Sequence, residues 1–290
     1  MLAFVHNLVV SENSNGHLEY STIALLLVAF INIGACGLVR FWGSDTRLFE
    51  AASGVGVAAT CLLTLLIRGT YFPRQVISTT LVVFWSLRLA AFLYVRGLKK
   101  ERLNVLVRVI WSLLCAIPVV ICNTRQAEVY ESTQVETIAL TLAGGAIVME
   151  HLADAQKMEW HARHAHRPGR GEVETPVCTQ GLWAYSRHAN LFFELLFQWC
   201  IYVIVRPVEQ PAIVACPVVL TVMILFFPGG VLSQEVERGK LYGMYPSYVR
   251  YVQTVPVLFP LPFLRRWLSG CWKKGSDTAC LEMDIFTTAF

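Results

Sequence analysis

Apolar residues run along this chain in seven stretches, near 21–42, 50–67, 75–96, 103–123, 135–153, 190–206 and 210–232, separated by segments that carry most of the charge. A helix of roughly 20 residues spans the hydrocarbon core of a bilayer. Each stretch therefore predicts a membrane helix, the second and sixth being the shortest. The expected fold is all-α, a polytopic membrane protein of about seven transmembrane helices spread over residues 21–270. Residues 1–20 form a short mixed N-terminal segment with Glu12 and Glu19 and no Lys or Arg. It has no basic stretch and no small-residue cleavage site, so the first span is expected to direct insertion. Pro118 and Pro217 fall inside spans, where neighbouring helices can satisfy the freed carbonyl. Pro228-Gly229-Gly230 closes the seventh run, and 275–290 reads as a flexible tail.

Composition supports this reading. Of the 290 residues 55% are apolar and 15% charged, against about 25% charged in a soluble domain. The net charge of +4 is modest and is not laid out as a nucleic-acid surface. Its distribution between loops says more. With the N-terminus outside, eighteen Lys and Arg fall on the cytosolic side and four (Arg68, Arg74, Arg125 and Arg206) on the outer side. That asymmetry puts the C-terminus in the cytosol. The nine cysteines form no CxxC pair. Cys36, Cys61, Cys115, Cys122, Cys200 and Cys216 sit in or at the end of apolar runs, as small packing residues. Neither a disulfide framework nor a metal site is expected.

The chemistry is concentrated in Gly181–Trp199, a basic loop that runs into an apolar span. Arg187, Asn190 and Glu194 are spaced to share one helical face. A carboxylate inside an apolar span is costly without a partner or a wet cavity. Glu194 is thus either functional or a helix-end residue reaching the interface. Glu150, Asp154 and Lys157 share a second face at the end of the fifth span, as an intrahelical ion pair or as a polar wall for a cofactor. Arg88 lies within the third span and is expected to pair with one of these carboxylates. Gly54-Val55-Gly56-Val57-Ala58-Ala59 fits GxGxxA but lacks the strand–turn–helix context of a dinucleotide fingerprint. It reads as close helix packing, and so does Gly144-Gly145. His161, His164 and His166 lack the rest of a ligand framework and read as a basic loop near phosphate or headgroups. Tyr242, Tyr245, Tyr248 and Tyr251 read first as an interfacial aromatic belt.

The stretch LADAQKMEW, followed by GLWAYSRHANLFFELLFQWCIYV, resembles the steroid 5α-reductase C-terminal domain family of membrane reductases. Glu150, Asp154, Gln156 and Lys157 match one family element. Gly181, Leu182, Trp183, Ser186, Arg187, His188, Asn190 and Glu194 match a second. Trp85, Arg88 and Leu89 resemble an upstream element, and Glu235, Tyr248, Tyr251, Pro256 and Pro260 a closing one. The likeness runs over about residues 80–262. Ala189, Leu191 and Phe193 stand where the family has Pro, Tyr and Gly, and loss of the Pro is expected to free the turn.

The resemblance implies an endoplasmic-reticulum enzyme that binds NADPH in a pocket on the cytosolic side. It would reduce a conjugated C=C bond of a lipid-like substrate taken from the bilayer. The cofactor residues it implies are Asp154, Lys157, Trp183, Ser186, Arg187, His188, Asn190, Glu194, Glu235 and Tyr251. No catalytic acid is assigned. A membrane methyltransferase using S-adenosylmethionine, which shares an Arg-His pair before a span, is the main alternative. A non-catalytic membrane scaffold or transporter is the other.

Overall fold

The structure is a computed structural model that describes residue 34 and residues 46–68, 70–96, 105–124, 133–164, 177–205, 211–227 and 229–260. Six of the seven apolar runs coincide with helices: α1 Thr46–Arg68, α2 Pro73–Arg96, α3 Val105–Asn123, α4 Gln134–His164, α5 Ala189–Val205 and α6 Pro211–Phe226. The first run, 21–42, lies outside the described residues except for Gly34, which is helical. A 3-10 turn at Gly181–Ala184 precedes α5, and two short helices, α7 Val231–Tyr242 and α8 Pro246–Thr254, follow α6. No strand occurs among the described residues. Three stretches are long and apolar enough to cross a membrane, as an integral membrane protein requires: Pro73–Arg96, Gln134–His164, and Ala215–Tyr242, which runs from α6 into α7. Ala51–Ile67, Val107–Asn123 and Ala189–Val205 are shorter apolar helices.

Two helix boundaries differ from the sequence pattern. The fifth run was expected to end at 153, yet α4 continues to His164. Nothing in Asp154–His164 stops a helix: it contains no Pro or Gly, and Glu159 and Arg163 pair at 2.5 Å one turn apart. His161 and His164 therefore belong to a helix rather than a loop, and the His164 ring stacks on Trp160 with centroids 4.4 Å apart. His166 lies outside the described residues. The last run, expected to reach 232, ends at Phe226 because a turn with Gly229 at φ +87° intervenes before α7.

Helix starts are written locally. Thr133 and Glu136 form a capping box at α4: the Glu136 N–H donates to Thr133 Oγ1 at 3.2 Å, and the Thr133 N–H to Glu136 Oε2 at 3.3 Å. Two otherwise orphaned donors are satisfied in this way. Glu136 also accepts from Arg74 at 2.8 Å, with both residues buried. Beside it, the fully buried Asn123 donates to Cys61 O, Thr64 Oγ1 and Thr79 Oγ1 at 3.1–3.2 Å. Gln75 donates to Cys122 O at 3.1 Å. These bonds tie the C-terminal ends of α1 and α3 to the N-terminal ends of α2 and α4.

The core lies between those ends. Trp85 is fully buried, stacked on Phe197 with centroids 5.0 Å apart and tilted against Trp111 at 5.8 Å. Gly54 meets the packing expectation: a Cβ there would sit 2.7 Å from Ser86 O and 2.9 Å from Ala90 Cβ, so α1 and α2 touch because it has none. Gly144 and Gly145 do not meet it. Nothing described lies within 4 Å of a Cβ at either. The small residues that bury the α4 stripe are Ala139, Ala143, Ala146 and Ala153. They recur at helical spacing, whereas Gly144 and Gly145 fall on the adjoining face.

Candidate functional site

The opposite end of the bundle is hollow. The C-terminal ends of α2, α4 and α6, the N-terminal ends of α3 and α5, and α7 surround two adjoining chambers. The inner one has a volume of ≈ 240 Å³ and the outer one ≈ 460 Å³. They share Phe92, Arg96, Asp154, Lys157, Asn190 and Gln234, which form the neck between them. Glu150, Glu194, Arg108 and Trp111 line the inner chamber, with apolar walls from α2, α3 and α6. His161, Trp183, Arg238 and Tyr251 line the outer one.

Several of the polar wall residues are held from behind. In the inner chamber, Trp111 Nε1–H donates to Glu194 Oε1 at 3.0 Å. Trp85 Nε1–H donates to Glu150 Oε2 at 2.9 Å. Arg88 forks between Glu150 and Asp154, reaching Asp154 Oδ2 at 3.2 Å. That is the pairing expected for an arginine within a span. The other carboxylate oxygen, Asp154 Oδ1, is buried and has no hydrogen-bond partner among the described residues. A buried acceptor left in this state costs about 1–3 kcal/mol.

In the outer chamber, the turn Gly181–Ala184 docks on α4. Leu182 N–H donates to Gln156 Oε1 at 2.9 Å, and Trp183 Nε1–H to Ala153 O at 2.9 Å. Gly181 makes this possible. Its φ is +60°, and a Cβ would meet Gln156 Oε1 at 2.5 Å. The docked Trp183 ring lies 4.7 Å from Lys157 Nζ, a cation–π contact, and its carbonyl accepts from Tyr251 Oη–H at 2.8 Å. Burial pushes the Tyr251 phenol up, out of reach of acid–base work near neutrality. Tyr248 and Tyr251 are buried in a cluster with Val255, flanked by Tyr242 and Tyr245. Both are packed inside rather than presented at the surface as an aromatic belt.

Ser186, Arg187, His188 and Glu235 line neither chamber. They form a strap. Ser186 Oγ–H donates to Leu258 O at 2.7 Å, and the Arg187 N–H to Pro256 O at 3.0 Å. The Arg187 guanidinium is paired with Glu235, and His188 Nε2 lies 2.7 Å from Glu235 Oε1. Burial pushes the His188 imidazole below its ordinary range, outweighing the pull of Glu235. Because α5 begins at Ala189, Arg187 sits in the turn and not on the face of Asn190 and Glu194. Nor is the turn freed by the absence of a proline at 189. Ala189 starts the helix where Pro is also tolerated, and the His188 N–H donating to Ser186 Oγ at 3.2 Å closes the turn.

Of the ten residues expected around a cofactor, six line the chambers: Asp154, Lys157, Trp183, Asn190, Glu194 and Tyr251. Sequence reasoning missed Trp111, Gln234 and Arg238. Arg238 donates to Gln234 Oε1 at 3.1 Å across one turn of α7, a spacing visible in the sequence. Trp111 carried no such signal, since an indole in an apolar run looks like packing until its N–H meets a carboxylate.

A family model described as "Protein of unknown function (DUF1295)" matches residues 38–104 and 103–255. No curated protein and no solved structure matches the chain.

Proposed function

The chain belongs to the DUF1295 family, and from that premise and the chambers we propose that it is a membrane reductase that binds NADPH at the hollow end of its helical bundle. We further read it as a relative of the steroid 5α-reductase C-terminal domain family. The observation that carries the proposal is the pairing of charges in the cavity. Cations from separate elements, Arg96, Lys157 and Arg238, border the outer chamber, while the neck offers the acceptor Asp154 and the amide of Asn190. Phosphates need the first set, through charge-assisted hydrogen bonds. Ribose hydroxyls and a carboxamide need the second.

The residue set fits the nucleotide. Asp154 Oδ1 is an orphaned acceptor waiting for a donor, and the Trp183 ring offers a flat apolar wall at the chamber with the Lys157 ammonium against it. When bound, NADPH supplies a hydride for an electron-poor C=C bond. Around it this chain's residues orient and exclude water. Trp183 closes one side, and the strap through Glu235 fixes α7 as the opposite wall. The inner chamber, walled by Leu89, Leu93, Met223 and Ile224, suits the apolar body of a lipid-like substrate. With the basic end in the cytosol, the nucleotide enters from the aqueous side.

Lipid extracts of cells with and without the protein test the activity. A species heavier by two hydrogens, appearing with the protein and reduced in Asn190→Ala, supports the reading. Extracts that match, or a product carrying an added methyl group, contradict it.

A further inference from the structure

Arg88 touches neither chamber, yet two carboxylates one turn apart on α4 converge on it. It comes from α2, which runs beside the site, and its side chain is nearly buried, at 11% exposure. The partner carboxylates of Glu150 and Asp154 are 2% and 3% exposed. Trp85, one turn before Arg88, takes the Glu150 Oε2 atom at 2.9 Å. Glu150 is thereby engaged on both oxygens, by Trp85 and by Arg88. Asp154 is engaged on one: Oδ2 meets Arg88 Nη1 at 3.2 Å, and Oδ1 meets nothing among the described residues.

In this knot one guanidinium stands against two carboxylates, with the cations Lys157 and Arg96 acting on Asp154 from the neck. Buried ions of this kind persist when further donors satisfy them. Among the described residues, Arg88 Nε and Nη2 and Asp154 Oδ1 have no hydrogen-bond partner, and of these only the Asp154 oxygen belongs to a residue shared by both chambers.

We propose that Arg88 is a positioning residue: by holding Asp154 Oδ2 from behind, with Glu150 locked by Trp85 as its second anchor, it reserves Asp154 Oδ1 as an acceptor for a hydroxyl or amide N–H of the ligand in the neck. Asp154 accordingly takes a donor group of the ligand, while anionic groups meet Arg96, Lys157 and Arg238. That the ligand is NADPH rests on the function proposed above; the positioning itself does not. Lysine at 88 keeps the charge but not the rigid planar fork, so it does not hold both carboxylates in the geometry that the guanidinium fixes. Asparagine at 154 keeps the shape, but its carbonyl turns to Arg88 and its NH₂ is left facing the ligand's donor.

The test uses the full chain in lipid nanodiscs, with Arg88→Lys, Asp154→Asn and the double variant. Two readouts are taken: calorimetric titration with NADPH, and the infrared difference between chains with Asp and with Asn at 154. Each single variant is expected to weaken NADPH binding at least tenfold, and the double variant no more than the weaker single. Effects that multiply in the double variant, or a normal affinity in Arg88→Lys, overturn the proposal.

The infrared arm needs no ligand. The separation of the symmetric and antisymmetric carboxylate bands reports a single engaged oxygen in the natural chain, and this pattern is expected to be lost in Arg88→Lys. An unchanged pattern also overturns it. If the natural chain takes up no NADPH but its carboxylate bands respond to Arg88→Lys, the nucleotide reading falls and the positioning stands.

Discussion

Asn190 and Arg187 lie three positions apart, and sequence spacing alone gives them the same role. The structure separates them. Asn190 borders both chambers and its amide is bonded to nothing described, so Asn190→Ala is expected to weaken nucleotide binding about tenfold and leave the unfolding temperature unchanged. Arg187 is consumed by Glu235 behind the wall. Removing one partner of a nearly buried pair costs about 3–5 kcal/mol. Arg187→Ala should therefore lower the unfolding temperature sharply, and Glu235→Gln added to it should restore part of the loss. A thermal melt of the three variants decides. If Arg187→Ala melts like the natural chain, the strap does not hold the wall. Gly181 makes a third case. A side chain at φ +60° costs about 1–2 kcal/mol before any clash, and the Gln156 amide stands in the way. Gly181→Ala should detach the turn from α4 and raise the exposure of Trp183, which its fluorescence would report.

The elements were legible where one rule acts along a whole run. Apolar length shows α1, α2, α3 and α5 to within a few residues, and places the start of α4 at 135, one residue from Gln134, on hydropathy alone and without the capping box of Thr133 and Glu136. The end of α4 was not legible, because the helix outlives its apolar stretch. Asp154, Lys157 and His161 ride on that extension, and no change of hydropathy signals it. The glycines were half legible. Both Gly54 and Gly144-Gly145 look like packing motifs, but only the first has a helix against it. Which face of a helix is covered depends on residues distant in the chain. Gly54→Leu should force α1 off α2 at Ser86 and Ala90, an overpacking cost of at least about 1–3 kcal/mol. Gly145→Leu should cost nothing measurable. Equal melting losses in the two variants would refute the assignment of faces.

At the scale of the molecule, charge is sorted by end. One end is neutralised within itself, with Arg74 on Glu136 and Asn123 shared among three helices. The other end gathers Arg96, Lys157 and Arg238 around a cavity that Asp154 and Glu237 also line. Spacing in the sequence brought Glu150, Asp154 and Lys157 together on one face, and Asn190 with Glu194 on another. It could not bring the two faces together, since Gln156 and Leu182 are 26 positions apart and the docking runs through two side-chain bonds, Leu182 N–H to Gln156 Oε1 and Trp183 Nε1–H to Ala153 O. Nor could it tell wall from strap, because Arg187 and His188 are as polar as the residues that line the chambers.

The central claim is that this basic end holds a phosphorylated dinucleotide. Calorimetric titration of the purified chain in nanodiscs with NADPH and, separately, with S-adenosylmethionine tests it most directly. Saturable heat with NADPH, and none with S-adenosylmethionine at the same concentrations, is the predicted result. Heat with S-adenosylmethionine alone, or with neither compound, would contradict the account.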